Sequence, residues 1–379
     1  MSLHALVVGS DEKIVRVLRR VLSDLEIGID TCQDSGAAVH KLSRQRYEAV
    51  IVDCADEHMA SQVLRSARSA PCNKRAVAVA VIDGQTAVRS AFALGAHFVL
   101  YKPISTERAK SSFRAVRALM KRERRRNTRL AVQIPVVLTV DKGSGQQKTV
   151  TTDLSEGGMA IQLSRRPGNA GAMRAHFTLP GTDCLIDCAV EVAWGNAGRQ
   201  AGIRFVDLAP ESHRRLKAWL NSHSPETEKD DPPVACKLTD LSLGGCYLEM
   251  TSPFPVKTRV VLSMRVAEAE VQVEGVVRVM HPEVGMGVLF RQKTTQQREQ
   301  VEKFIQALMS NRGDPPELLV EPEGLDTENV EPRNGDGDAD DPLVELFHTK
   351  ADLSTDAFLI ELRRQRGPNS DAARASASS

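Results

Sequence analysis

The sequence has almost no net charge: 50 Lys and Arg against 49 Asp and Glu leave +1 at neutral pH. Nothing global draws it to nucleic acid or to a membrane surface, and any electrostatic argument must be local. It has no long apolar run. The longest, Ala76 to Ile82, is too short to span a bilayer and fits a buried strand. The opening residues lack a basic stretch followed by an apolar one and a small-residue cleavage site, so no secretory signal is expected and a cytoplasmic setting is. There is no cysteine framework either. The seven cysteines (Cys32, Cys54, Cys72, Cys184, Cys188, Cys236 and Cys246) are odd in number and scattered, the pattern of free thiols in a reducing compartment. Cys184 and Cys188 have no second pair or histidine at ligand spacing, and no metal is expected. A nucleophile–base pair, a Walker loop, a zinc-ligand cluster and any nucleotide cyclase or phosphodiesterase motif are also absent. The chain reads as a non-enzyme.

What is present is a succession of patterns. At 379 residues the chain is expected to hold two to four domains. Residues 1–120 alternate short apolar runs with amphipathic segments. Strands are expected at Ala5 to Val8, Ala49 to Val52, Ala76 to Ile82 and Phe98 to Leu100. Helices are expected at Lys13 to Leu25, Gln62 to Ser69, Gln85 to Leu94 and Thr106 to Met120. This predicts a doubly wound α/β domain with a parallel sheet. From about Arg129 to Phe205 the period falls to two, as in Val132, Ile134, Val136 and Leu138, with turn residues at short intervals. That predicts a small antiparallel barrel or sandwich, followed by a helix from about Pro210 to Leu220.

The chain then repeats itself. Asp153, Ser155, Gly157 and Gly158 return as Asp240, Ser242, Gly244 and Gly245. Val190 to Trp194, followed by Gly202 to Phe205, returns as Glu274 to Arg278, followed by Gly287 to Phe290, and the closing helix returns as Gln296 to Met309. The match in order and spacing marks a duplicated β unit. The join, Ser222 to Pro233, is polar and Pro-rich. Asp314 to Glu345 is dominated by Asp, Glu, Pro and Gly, with Arg333 its only fixed positive charge, and is expected to be disordered. Pro342 to Arg366 has the apolar spacing of one or two short helices: fluctuating helix in a solvated tail on one reading, a docking segment on the other. The divisions are 1–120, 121–222, 234–312 and an acidic, mostly disordered tail, 313–379.

Residues 3–120 resemble the receiver domain of bacterial two-component response regulators. Asp53 at a strand end and the run Gly95 to Pro103, with Lys102 in it, carry the resemblance. In receivers the aspartate accepts a phosphoryl group, the lysine contacts its oxygens, and an acidic pair helps hold Mg²⁺. Here the acidic-pair positions are Gly9 and Ser10, the usual Ser/Thr is Ala80 and the aromatic switch position is Val99. The domain therefore reads as a pseudo-receiver for pairing or docking, with Asp53 as its one candidate phosphoacceptor.

The junction that follows is the most informative stretch. Arg125 and Arg129 form an Arg-x-x-x-Arg pair, Arg126 extends it to Arg-Arg-x-x-Arg, and Asp153, Ser155 and Gly158 form an Asp-x-Ser-x-x-Gly turn downstream. By itself the basic run from Lys121 to Arg129 fits a solvated helix end, or a weak contact with nucleic acid or anionic lipid. By itself the turn fits an ordinary Asx turn. Together, over residues 121–222, they resemble the PilZ domain family, six-stranded barrels that bind the second messenger cyclic di-GMP. The resemblance implies a cyclic di-GMP site made of Arg125, Arg126, Arg129, Asp153, Ser155, Gly157 and Gly158. Its chemistry is apt: an arginine fork pairs with phosphate or with guanine O6 and N7, and its face stacks on a purine. Asp153 can accept from a guanine N–H, Ser155 suits a phosphate or base contact, and Gly157 and Gly158 permit positive φ and close backbone approach. Arg125 is expected in a mobile linker that wraps over the ligand and reorients the domains. The second unit keeps the turn without the arginines, so it is expected not to bind the nucleotide and to serve as scaffold or homodimer contact. No nucleic acid partner and no membrane span are expected.

Overall fold

The computed structural model describes residues 3–70, 72–84, 88–127, 129–140, 146–162, 173–196, 200–223, 231–292, 294–311, 315–325, 341–350 and 353–365. By its internal contacts the chain forms two compact units. One holds Arg124–Lys229; the other holds Ser2–Glu123 together with Asp230–Ser379.

The larger unit begins with β1 (Leu3–Val8), α1 (Glu12–Asp24), β2 (Ile27–Cys32), α2 (Ser35–Arg44), β3 (Ala49–Asp53), α3 (Glu57–Ser69), β4 (Val77–Ile82), α4 (Val88–Ala93), β5 (Phe98–Tyr101) and α5 (Thr106–Asn127). The strands form one sheet in the order β2-β1-β3-β4-β5, and every pairing is parallel. A parallel sheet needs cover on both faces, which is why β3 and β4 are unbroken buried runs. One face packs Leu3, Ala5, Ile51 and Val79 against Leu18 and Leu22 of α1 and Phe113 and Val116 of α5. The other packs Leu6, Val50 and Val52 against Leu42 of α2 and Leu64 of α3. The side chains of Asp11, Asp34 and Asp56 cap α1, α2 and α3. β2 and α2 are not evident in the sequence. β2 is an edge strand, half in water, and so carries no apolar run.

The smaller unit contains β6 (Pro135–Val140), β7 (Gln146–Ser155), β8 (Gly158–Gln162), β9 (Met173–Thr178), β10 (Leu185–Gly195), β11 (Gln200–Asp207) and α6 (Pro210–His223). Its strands close into a barrel in the order β10-β11-β8-β7-β6-β9. Alternate residues such as Ile134, Val136, Leu138, Ile161, Phe177, Ile186 and Ile203 fill it, and Leu216 and Trp219 of α6 join the same core.

The larger unit resumes with β12 (Val234–Leu241), β13 (Gly245–Glu249), β14 (Thr258–Val266), β15 (Ala269–His281), β16 (Gly285–Phe290), α7 (Thr295–Ser310), β17 (Glu317–Leu325), α8 (Pro342–Thr349) and α9 (Thr355–Gln365). Its strands close a second barrel in the order β12-β13-β16-β15-β14-β17. The duplication is exact in topology but shifted by one strand. In the first barrel β6, which precedes the repeat, pairs with β7 and β9. In the second the equivalent place between β12 and β14 is filled by β17, which arrives after α7.

This corrects the expected tail. Residues 317–325 are not disordered but close the barrel, because Leu318, Val320 and Pro322 fall at alternate, buried positions with Leu319, Glu321 and Glu323 alternating with them, a two-residue period inside an acidic composition. Residues 341–350 and 353–365 are likewise ordered, as α8 and α9 packed on the second barrel. The rest of the expected disordered tail, 326–340 and 366–379, lies outside the described residues.

α5 supplies a second correction. Lys121 and Arg122 are not a solvated helix end. Lys121, 6% exposed, pairs with Asp231 at 2.9 Å, and Arg122 reaches Glu321 at 3.5 Å. Arg117 also pairs with Asp231, at 3.1 Å, and Glu123 Oε1 accepts from the Leu325 amide at 2.6 Å. The sheet domain and the second barrel thereby share one continuous core. Among the described residues no helix is long and apolar enough to cross a membrane.

Candidate functional site

The two stretches singled out in the sequence meet in the first barrel through its main chain. Leu130 and Leu154 form an antiparallel bridge: the Leu130 amide donates to the Leu154 carbonyl at 2.8 Å, and the Leu154 amide donates back at 2.9 Å. In this antiparallel pairing Arg129 and Asp153 are diagonal neighbours across the bridge, within reach of a long side chain. The Arg129 guanidinium donates to Asp153 Oδ1 at 2.8 Å, with both side chains partly open to water. Thr151 continues the tie: its hydroxyl donates to the Val132 carbonyl and accepts from the Ile134 amide at 2.9 Å. A register shift between Thr151 and Asp153 in the β7–β8 pairing turns Asp153 to this position.

Beyond Asp153 the chain turns sharply. Ser155 and Gly158 pair across a two-residue connection, and the buried Ser155 hydroxyl donates to the Gly158 carbonyl at 2.8 Å. Ser155 thus closes the turn and spends its proton there. Neither Gly157 nor Gly158 has positive φ, so the expectation that they serve a left-handed backbone is corrected. Gly158 is required for another reason: a Cβ there would collide with the Ile203 carbonyl oxygen of β11. Gly157 faces open space, and its carbonyl accepts from the Phe205 amide at 3.0 Å. The turn is also braced from α6, where His213 Nε2 lies 3.0 Å from Glu156 Oε1. That brace has no local signal in the sequence.

The remaining predicted residues are placed less openly. Arg125 is half-buried in the last turns of α5, not in a linker, because the run from Lys121 to Asn127 holds strong helix formers with no Gly or Pro to end it. Arg126 is also helical, and its side chain lies outside the described residues. The structure therefore joins Arg129 to Asp153 and to the turn of Ser155, Gly157 and Gly158.

The second barrel repeats the turn. The Ser242 hydroxyl donates to the Gly245 carbonyl at 3.2 Å, the Phe290 amide donates to the Gly244 carbonyl at 2.8 Å, and a Cβ on Gly245 would lie 2.6 Å from the Val288 carbonyl oxygen. Ser and Gly are therefore structural in both copies. The pairings also correct the register of the repeat by one residue: Trp194 faces Gly202 as Val279, not Arg278, faces Gly287. In this barrel the place of β6 is taken by β17, which arrives from α7 and not from the segment ahead of β12.

In the sheet domain, Lys102 Nζ lies 2.7 Å from Asp53 Oδ1 and 3.5 Å from Asp83 Oδ2. Burial pulls the Lys102 ammonium down, and the hydrogen bond and charge of Asp53 more than reverse it, leaving it above the ordinary lysine value. Gly9 stands against this pair: a Cβ there would lie 2.9 Å from Asp53 Cβ. Asp11, the nearby acid, is committed to capping α1. Among the described residues no group of His, Cys, Asp and Glu could hold a metal ion.

Residues 123–222 and 221–307 each match the PilZ domain family, the second match ending before β17. Three solved structures illustrate the likeness. The receiver domain of the sensor histidine kinase PA1611 from Pseudomonas aeruginosa PAO1 is 20% identical, covers 32% of this chain and 99% of its own, and has a TM-score of 0.29. The chemotaxis response regulator CheY4 of Vibrio cholerae is 19% identical over 31% of this chain and 99% of its own, at 0.29. The PilZ domain of CeSA from a cellulose synthesizing bacterium is 19% identical over 25% of this chain and 97% of its own, at 0.22. No curated protein matches the chain.

Proposed function

Because the chain is a tandem PilZ-domain protein with a receiver-like domain ahead of the two barrels, we propose that it is a non-enzymatic cytoplasmic signalling protein whose first barrel binds cyclic di-GMP. The observation that carries this reading is the Arg129–Asp153 contact at 2.8 Å, held by the Leu130–Leu154 bridge. It brings the arginine of one motif to the carboxylate of the other, a phosphate and purine-face donor beside an acceptor for guanine N–H. On binding, Arg129 leaves Asp153 for the ligand. Arg125 and Arg126, one helical turn earlier, complete the clamp. Gly157 leaves room for the nucleotide, while Ser155 and Gly158 hold the turn. Because the arginines end α5, their capture reorients the domains joined by that helix.

Equilibrium titration of the full chain with cyclic di-GMP tests this. Arg125→Ala and Arg129→Ala are each expected to lower affinity by about 2–5 kcal/mol, the scale for losing one partner of a desolvated charge pair. Failure of the wild type to bind would overturn the reading. We assign Asp53 a structural role with Lys102, since Gly9 and Ser10 replace the acidic pair. Incubation with a small phosphodonor and Mg²⁺ is expected to give no label. A label that Asp53→Asn abolishes would instead favour a phosphorylation-controlled regulator.

A further inference from the structure

The outer face of β13, β15 and β16 differs in kind from its counterpart on β8, β10 and β11. Strand pairing equates Ala160 with Tyr247, Trp194 with Val279 and Arg204 with Leu289. In the first barrel this face is partly open and polar, with Trp194 42% exposed and Arg204 paired to Glu191 at 2.7 Å. In the second barrel Tyr247, Val279 and Leu289 are all buried, and what buries them is α8 and α9.

The contacts are specific. The Phe347 ring of α8 lies on bare backbone: a Cβ on Gly287 would come within 2.6 Å of it, and one on Gly245 within 3.4 Å. Asp341 uses both carboxylate oxygens. Oδ1 accepts from the Leu343 and Val344 amides at 3.1 and 3.3 Å and caps α8, and Oδ2 accepts from the Gly244 amide of the barrel turn at 2.9 Å. Phe358 of α9 packs on His281 with ring centroids 4.6 Å apart and on Tyr247 at 5.7 Å. Lys350 and Glu361, 2.8 Å apart, tie the two helices together. Apolar anchors on one helix face are the mark of helix-in-groove recognition, and here the bond from the Gly244 amide to the Asp341 cap adds a polar anchor to them. The helices follow β17 after residues 326–340, an Asp-, Glu- and Gly-rich sequence, so they are attached to the barrel as a tethered ligand would be.

We propose that the second barrel is a helix-binding module, with α8 and α9 as its resident ligand. The partner it fits is an amphipathic helix of the same pattern: an aspartate cap followed by apolar residues at the second, third, fifth and sixth positions, as in Asp341, Leu343, Val344, Leu346 and Phe347. This rests on the barrel's own contacts and is independent of nucleotide binding.

The test uses the full chain and a labelled peptide of residues 341–365. Fluorescence anisotropy is expected to show the peptide binding to Phe347→Asp, whose own helix is evicted, at least tenfold more tightly than to the wild type, where it must displace a tethered copy. Asp341→Lys, which loses the cap and the Gly244 contact without touching the apolar core, is read in the same way and guards against misfolding of the first variant. A peptide carrying Asp341→Ala is expected to bind at least tenfold more weakly. If neither variant takes up the peptide while each keeps the wild-type unfolding profile, α8 and α9 are fixed structure and the proposal falls. It falls equally if the Asp341→Ala peptide binds as well as the native one.

Discussion

Single residues in the turn separate packing from ligand chemistry. Gly158→Ala forces a methyl against the Ile203 carbonyl and is expected to cost about 1–3 kcal/mol of stability, as overpacking does. Gly157→Ala meets open space and is expected to stay within about 0.5 kcal/mol. Urea unfolding of the two variants decides; equal losses would contradict the geometry. The sequence shows both glycines and the serine but not why they are there. Their second occurrence, without arginines, points to a structural role, and the Ser-to-Gly hydrogen bond in both barrels supplies the reason. His281 carries a pH dependence. Burial lowers it to about 4, so the folded protein favours the neutral ring. Its contribution is whole above the ordinary value near 6.5 and is lost as pH falls toward 4. The thermal midpoint is expected to drop across that interval, and to drop less in His281→Gln; equal drops would remove His281 as the cause.

At the scale of elements, the strongly patterned segments were legible and the half-exposed ones were not. β3 and β4 announce themselves as aliphatic runs because helices cover both their faces. β2, at an edge, and β17, in an acidic context, do not. Composition favours disorder after Gly313, and a strand survives there because every second side chain enters a barrel already five strands wide. A chain ended after residue 312 is accordingly expected to lose the cooperative unfolding of the second barrel, whereas one ended after residue 325 keeps it. Calorimetry distinguishes them, and identical transitions would show β17 to be dispensable.

Across the whole molecule, the basic run at the junction divides by function. Lys121 and Arg122 serve the core that joins the sheet domain to the second barrel, and Arg129 serves the first barrel. Sequence alone could not divide them, because the acids that claim the first two, Asp231 and Glu321, lie far along the chain. Asp231→Asn removes the charge facing both Arg117 and Lys121. It is expected to cost about 3 kcal/mol, the lower end of the range for breaking a buried pair, because Asp231 is partly exposed. Denaturant titration followed in the sheet domain would read it, and an unchanged midpoint would show the ion pairs to be incidental.

The shifted strand also sets an order in time. The first barrel has all its strands once Asp207 has left the ribosome. The second has five once Phe290 is made, but must wait through α7 for Leu325, a delay of a few seconds at ordinary rates of synthesis. During that wait β12 and β14 are open edges with unpaired main chain, the form of sheet that recruits foreign strands. Nascent second barrels are thus the part of this protein most in need of a chaperone, and slowing translation between residues 290 and 325 should lower its soluble yield more than slowing it anywhere in the first barrel.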